Sequence, residues 1–167
     1  MFSKELVHAD IHVPDHLLRH WKVLVGSSLP ADVKREGVTI EHQQGDRAFC
    51  RPSTDTITLP LMRQFAETAE YYSTAFHEMT HSKGHAKRLD RLEKTAFFGS
   101  DAYSKEELIA EIGAAALINR AGLETAKSFR NSAAYIQSWL QALKNDKRFI
   151  VSAAGKAEKA VALIVEE

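Results

Sequence analysis

The pentapeptide His77-Glu78-Met79-Thr80-His81 constrains this chain more than any other feature. On a helix, histidines four residues apart stand one turn above each other on the same face and can hold one ion between them. Glu78 falls about 100° round from His77, beside such an ion and off the ligand face. A base that takes a proton from a metal-bound water belongs there. H-E-x-x-H is short, so chance must be weighed. With 8 histidines and 14 glutamates in 167 residues, roughly 0.03 accidental matches are expected. The competing reading is a solvated helix face that happens to carry histidines. Phe76 and Met79 interleave with the polar set and give the helix a buried side, so metal binding is the better reading.

A catalytic zinc takes three protein ligands and leaves a fourth position to water, so a third ligand is needed. His85 is the nearest candidate. In zinc peptidases with H-E-x-x-H-x-x-G-x-x-H the third histidine comes three residues after the glycine, but here His85 follows Gly84 directly and position 87 is Lys87. A place at the site's edge or a structural role suits His85 better. The other candidates are Glu107 and Glu111, at i and i+4 on one helix face amid Leu108, Ile109 and Ile112. Two like charges so placed destabilise a bare helix by ~0.2–0.5 kcal/mol, unless a cation or histidines compensate. Ser104-Lys105-Glu106-Glu107 also fits a capping box, in which Glu107 would only cap its own helix. A start at Ser100 or Asp101 would free it.

Composition removes other classes. The chain is 44% hydrophobic, enough to fill one core, and its 22 basic and 22 acidic residues cancel. A neutral balance, with pI near 7.1, speaks against a general nucleic-acid binder, and DNA binding by this chain alone is not expected. One cysteine, Cys50, allows neither an internal disulfide nor a thiolate metal site, and reads as a small buried hydrophobe. No signal-peptide core and no apolar run of ~20 residues is present, so a cytoplasmic location without a membrane partner is expected.

The pattern along the chain reads as a single α+β domain over 1–167. After Pro14, Leu17, Leu18, Trp21 and Leu24 keep helical spacing, which predicts a helical segment within 1–30. "VTIEH", "RAFCR" and "TITLP" are short alternating runs separated by the turn-like "QQGD" and "PSTD", and predict a small antiparallel sheet. Helical patterns then run from Leu61 to about Ser82, over "SKEELIAEIGAAALINRAG", and over two C-terminal segments. His8, His12, His16 and His20 recur every fourth residue, but Pro14 interrupts them and no carboxylates accompany them, so they read as solvent-facing. Asp90 in "RLDR" is placed to anchor Arg88 or Arg91.

H-E-x-x-H followed by Glu107-Leu108-Ile109-Ala110-Glu111 resembles the glutamate-type zincin metallopeptidases. More narrowly, "GDRAFCRPSTDTITLP", "YYSTAFHEMTHSKGHAKRLDR", "AYSKEELIAEIGAA" and "YIQSWLQALKNDKR" resemble the metallopeptidase domain of ArdC-type antirestriction and polyvalent proteins. The resemblance covers most of the chain, with a family-like core over 38–165, and implies a zincin-like fold with the small sheet packed on an active-site helix. It makes Glu107 the third ligand, and makes Glu111 the acid that orients a ligand histidine. The reverse assignment, Glu111 as ligand, stays open. It also favours Tyr135 at the site's edge as a hydrogen-bond donor to an oxyanion. Members carry a separate single-stranded-DNA-binding domain before this one, where this sequence has a short segment.

The leading expectation is a peptidase of mobile-element biology that cleaves a peptide or protein substrate. One Zn²⁺ per chain, or Mn²⁺ or another divalent ion, would be held by His77, His81 and Glu107, with Glu78 as the base. The strand "DTITL" would line the cleft and pair with an extended peptide. The alternative is a binding protein in which the metal only supports the fold, an antirestriction or DNA-shielding module. A closed four-ligand site including His85 would favour that alternative.

Overall fold

The computed structural model describes residues 34–35, 38–92, 99–143 and 147–165. The segment after Pro14, the four N-terminal histidines and most of the turn-rich stretch that follows lie outside them. Four strands form one sheet: β1 (Lys34–Arg35), β2 (Val38–Gln43), β3 (Phe49–Arg51) and β4 (Thr56–Pro60). Four helices follow: α1 (Thr68–Ser82), α2 (Asp101–Arg120), α3 (Ala126–Ala142) and α4 (Lys147–Val165). The fold is α+β, as expected. No helix among the described residues is long and apolar enough to cross a membrane.

The sheet departs from the antiparallel expectation. Its order is β1-β2-β4-β3, with β4 parallel to β2, Ile40 opposite Ile57, and antiparallel to β3, Cys50 opposite Ile57. The tight turn at 52–55 makes β3 and β4 a hairpin, and that hairpin inserts β4, not β3, beside β2. Ile57 and Leu59 explain the choice: both are almost wholly buried, and a central strand covered on both sides suits the more apolar segment. Asp55 closes the turn with a φ of 53°, its carboxylate paired to Arg88.

The helix containing the pentapeptide starts at Thr68, seven residues later than the periodicity from Leu61 predicts. Residues 62–64 form only a 3₁₀ turn. The Gln64 side chain explains this, because it accepts from the Leu61 N–H at 3.2 Å and donates to the Gly45 carbonyl at 2.7 Å. The segment is thereby tied to the β2–β3 loop. At the other end α1 stops at Ser82, and the Gly84 N–H reaches the His81 carbonyl at 2.8 Å. Helix α2 settles the capping question. Ser100 is its N-cap and accepts from the Tyr103 N–H at 3.2 Å, so Glu107 sits two turns inside the helix and is free for other work. Gly122, with φ 67°, ends α2 as expected of a left-handed C-terminal glycine.

Tyr71, Ala75, Phe76 and Met79 of α1 pack on Ile57 and Leu59 of the sheet and on Ala114, Leu117 and Ile118 of α2. A second cluster of Leu108, Ile109, Leu143, Ala153 and Ala157 joins α2 to α4. Between these clusters the polar faces of α1 and α2 meet, and there the site lies.

Candidate metal centre

Because α1 is regular through the pentapeptide, His77 and His81 stack one turn apart, with ring centroids 4.7 Å apart and planes at 76°. Their Nε2 atoms point at each other across 3.0 Å. Glu107 comes from α2 to the same point, with Oε2 3.4 Å from His77 Nε2 and Oε1 3.6 Å from His81 Nε2. Ligand atoms of His77, His81 and Glu107 all lie within 4.8 Å of one another, the one such metal-binding cluster among the described residues.

The other face of each imidazole is also occupied. His77 Nδ1 lies 3.2 Å from Glu111 Oε1, and His81 Nδ1 lies 3.1 Å from Glu106 Oε1. A carboxylate on Nδ1 fixes the proton there and leaves Nε2 as a lone pair. Two such lone pairs, 3.0 Å apart with a carboxylate opposite, can share a proton or hold a divalent ion between them. Burial alone would lower the His77 pKa, but Glu107 and Glu111 outweigh it and push it up to about 10. The centre thus carries surplus negative charge of the kind a divalent ion neutralises, and its N, N, O donors suit a borderline ion. A divalent metal fits.

This geometry separates the two α2 carboxylates: Glu107 faces the shared Nε2 point and Glu111 the outer nitrogen of His77. It adds Glu106, which no pattern in the sequence singles out. Glu106 is held by Arg91, whose Nε and one Nη lie 3.0 and 2.8 Å from its two oxygens. Arg91 also donates to the Thr80 carbonyl of α1. A guanidinium fork on a carboxylate is a rigid, charge-assisted support. The order Arg91, Glu106, His81 makes a chain of three groups. Asp90, expected to anchor Arg88 or Arg91, is exposed with φ 44°. Arg88 pairs with Asp55 instead. Burial disfavours the Asp55 charge, but Arg88 more than offsets this and holds the carboxyl below its usual range.

Glu78 is 7% exposed. Burial raises its pKa, against the pull of His81 and His77, and its carboxylate accepts from the Cys50 N–H of β3. The base candidate is thus buried and held by the sheet. Tyr103 of α2 hydrogen-bonds Glu107, and burial together with Glu107 pushes its phenol up to about 12. Cys50, half-buried rather than fully buried, packs against the core, and burial and Glu78 push its thiol up to about 12.

Two cavities share His77, Glu78 and Glu107. The larger, about 590 Å³, is walled by Ala48, Phe49, Cys50 and Pro52 on the sheet side and by Tyr103 and Ile109 on α2. The smaller, about 450 Å³, lies toward α3 and includes Tyr135 and Trp139. Tyr135, 58% exposed, is part of that lining. His85 lines neither cavity, and its Nδ1 accepts from the Lys87 N–H at 3.1 Å. The strand expected beside the cleft also changes. β4 is flanked by β2 and β3, so residues of "DTITL" are already paired on both sides, and β3 supplies the cavity wall.

Comparison with known proteins finds related sequences and a related fold. The sequence profile of a family described as zincin-like metallopeptidase matches residues 29–156. Among curated proteins, a DNA primase TraC of Escherichia coli is 46% identical over 76% of this chain. The uncharacterized protein y4eC of Sinorhizobium fredii is 38% identical over 74% of it. The chain spans only 9% of that TraC and 39% of y4eC. Among solved structures, Mn(II)-bound antirestriction protein ArdC from plasmid R388 superposes with a TM-score of 0.67 at 37% identity, covering 98% of this chain and 55% of ArdC. Its metal-free form gives 0.59 at 44% identity, covering 78% and 46%.

Proposed function

Given that the chain belongs to the zincin-like metallopeptidase family, we propose that it is a zinc-dependent peptidase, with His77, His81 and Glu107 holding the ion. A divalent ion bound there would polarise the scissile carbonyl and lower the pKa of its water from about 15.7 to ~7. Glu78 accepts that water's proton and hands it to the departing amine nitrogen, so that water adds across the C–N bond to give a carboxylic acid and an amine. The Cys50 N–H orients the Glu78 carboxylate, and Tyr103 steadies Glu107. Glu111 and Glu106 keep both imidazoles in the tautomer that turns Nε2 inward. Tyr135 lines the smaller cavity, where it can contact a bound peptide. The shared cavities fit an extended chain crossing the centre, with β3 along one wall.

The observation that carries this reading is the pairing of a three-ligand cluster with a buried carboxylate in the same cavity. A metal serving only the fold would be expected with four protein ligands, and His85, the fourth ligand considered from the sequence, lines neither cavity. The likeness to ArdC and to TraC supports a role in antirestriction or another process of mobile genetic elements. The test is metal-restored proteolysis. Protein stripped with a chelator should not cleave a denatured-protein substrate, and one equivalent of Zn²⁺ or Mn²⁺ should restore cleavage. The double variant His77→Ala/His81→Ala should bind no stoichiometric metal and show no restoration. Equal cleavage by stripped and loaded protein would overturn the assignment.

A further inference from the structure

The two cavities that meet at Glu78 differ in charge: the lining of the larger balances, and that of the smaller is acidic. The larger is lined by three carboxylates, Glu78, Glu106 and Glu107, and by three cations, Arg91, Lys105 and Lys156. The smaller is lined by four carboxylates, Glu70, Glu78, Glu107 and Glu111, and by no lysine or arginine among the described residues. Glu78 and Glu107 line both, and a divalent ion at the shared centre, counted with each side in turn, makes the first formally positive by two and the second negative by two.

Arg91 is engaged by Glu106, but no carboxylate among the described residues pairs with Lys105 or Lys156. The Lys105 ammonium lies 4.5 Å from the centre of the Phe149 ring, a contact that steadies the side chain without neutralising it. Phe149 and Lys156 both belong to α4, so one helix helps set both positive groups. On the other side Lys127 neutralises part of the Glu70 charge without lining the cavity.

A cleft with low-dielectric walls focuses such a difference. From it we infer that the cleft selects peptides by charge order. An acidic side chain lies in the Lys105 and Lys156 cavity, and a basic or neutral one lies in the cavity toward α3. The inference rests on the proposed peptidase reading and names its substrate class: an extended peptide with acidic and basic residues on opposite sides of the cleaved bond. Like charges facing each other would disfavour the reversed order.

The experiment walks a single Glu or Lys across an otherwise neutral synthetic peptide. Cleavage by the metal-loaded wild-type chain is read by mass spectrometry, and binding to the metal-loaded Glu78→Gln chain by fluorescence anisotropy. Glu should be favoured on one side of the cleaved bond and Lys on the other, a preference that shrinks as salt rises. Lys105→Glu with Lys156→Glu should retain metal and shift the Glu-to-Lys preference on the first side by at least about fivefold, the range of a few exposed charge pairs. Equal tolerance of Glu and Lys on both sides would overturn the inference, as would an unchanged pattern in the charge-reversed variant. If no peptide is cleaved but binding follows charge order, the peptidase reading fails while the charge-ordered cleft stands. Cleavage without charge preference would keep the peptidase reading and remove the charge order.

Discussion

Gly113 of α2 lies so close to Thr80 of α1 that a Cβ on Gly113 would stand 2.7 Å from both Oγ1 and Cγ2 of Thr80. Thr80 is fully buried, and its hydroxyl donates to the Phe76 carbonyl at 2.8 Å, so it has no easy way to yield. This contact sets the helix separation at which Glu107 and Glu111 reach His77. Gly113→Ala gains up to ~1 kcal/mol of helix propensity, but overpacking costs ~1–3 kcal/mol. The variant should be destabilised by about 1–2 kcal/mol in denaturant titration and should bind metal more weakly. A rise in stability would show that the helices have room to part.

Glu106→Gln keeps the size of the side chain but removes the charge that Arg91 and His81 share. Metal affinity should fall by the ~10–100-fold typical of a group that orients a ligand, measured by competition with a chromophoric chelator. Circular dichroism should stay close to wild type. Undiminished affinity would leave Glu106 as a partner of Arg91 only.

Glu107→Ala should abolish stoichiometric metal binding, whereas Glu111→Ala should weaken it by only ~10–100-fold. Metal content after dialysis separates the two. Retention in Glu107→Ala with loss in Glu111→Ala would reverse the roles inferred from the distances to Nε2 and Nδ1.

The isolated chain, with no net charge, should bind single-stranded DNA poorly at physiological salt. Anisotropy with a labelled oligonucleotide checks this. Micromolar affinity with a steep salt slope would contradict it.

What the chain's pattern reveals and conceals follows from the range of each interaction. His77, Glu78 and His81 belong to one helical turn, so local periodicity suffices to bring them together. Glu107 and Glu111 are legible as a like-charged pair needing a counter-charge. Glu106 is not, because it lies about 100° from Glu107 on the helix and gains its role only when Arg91 folds back from the loop after α1. Asp90 misleads for the same reason: proximity in sequence suggests a partner for Arg88, while Asp55, 33 residues away, supplies it. Alternating residues mark three strands, but alternation is the same in parallel and antiparallel pairs, so the β2-β4-β3 order stays hidden. The late start of α1 depends on the Gln64 contact with Gly45, equally invisible to helical periodicity.

In the proposed reaction Glu78 moves the proton while His77, His81 and Glu107 hold the ion. Glu78→Gln separates these roles, since the carboxamide is nearly isosteric and can still accept from the Cys50 N–H, but cannot take up a proton at neutral pH. Metal content and peptide turnover should be measured on the same preparations of Glu78→Gln and wild type. Both should carry one equivalent of metal, with turnover reduced in Glu78→Gln by at least the ~10²–10⁴ attributable to a general base. Full metal content with turnover, or any cellular activity lost in His77→Ala, intact in Glu78→Gln would contradict this division of roles and leave the metal serving the fold.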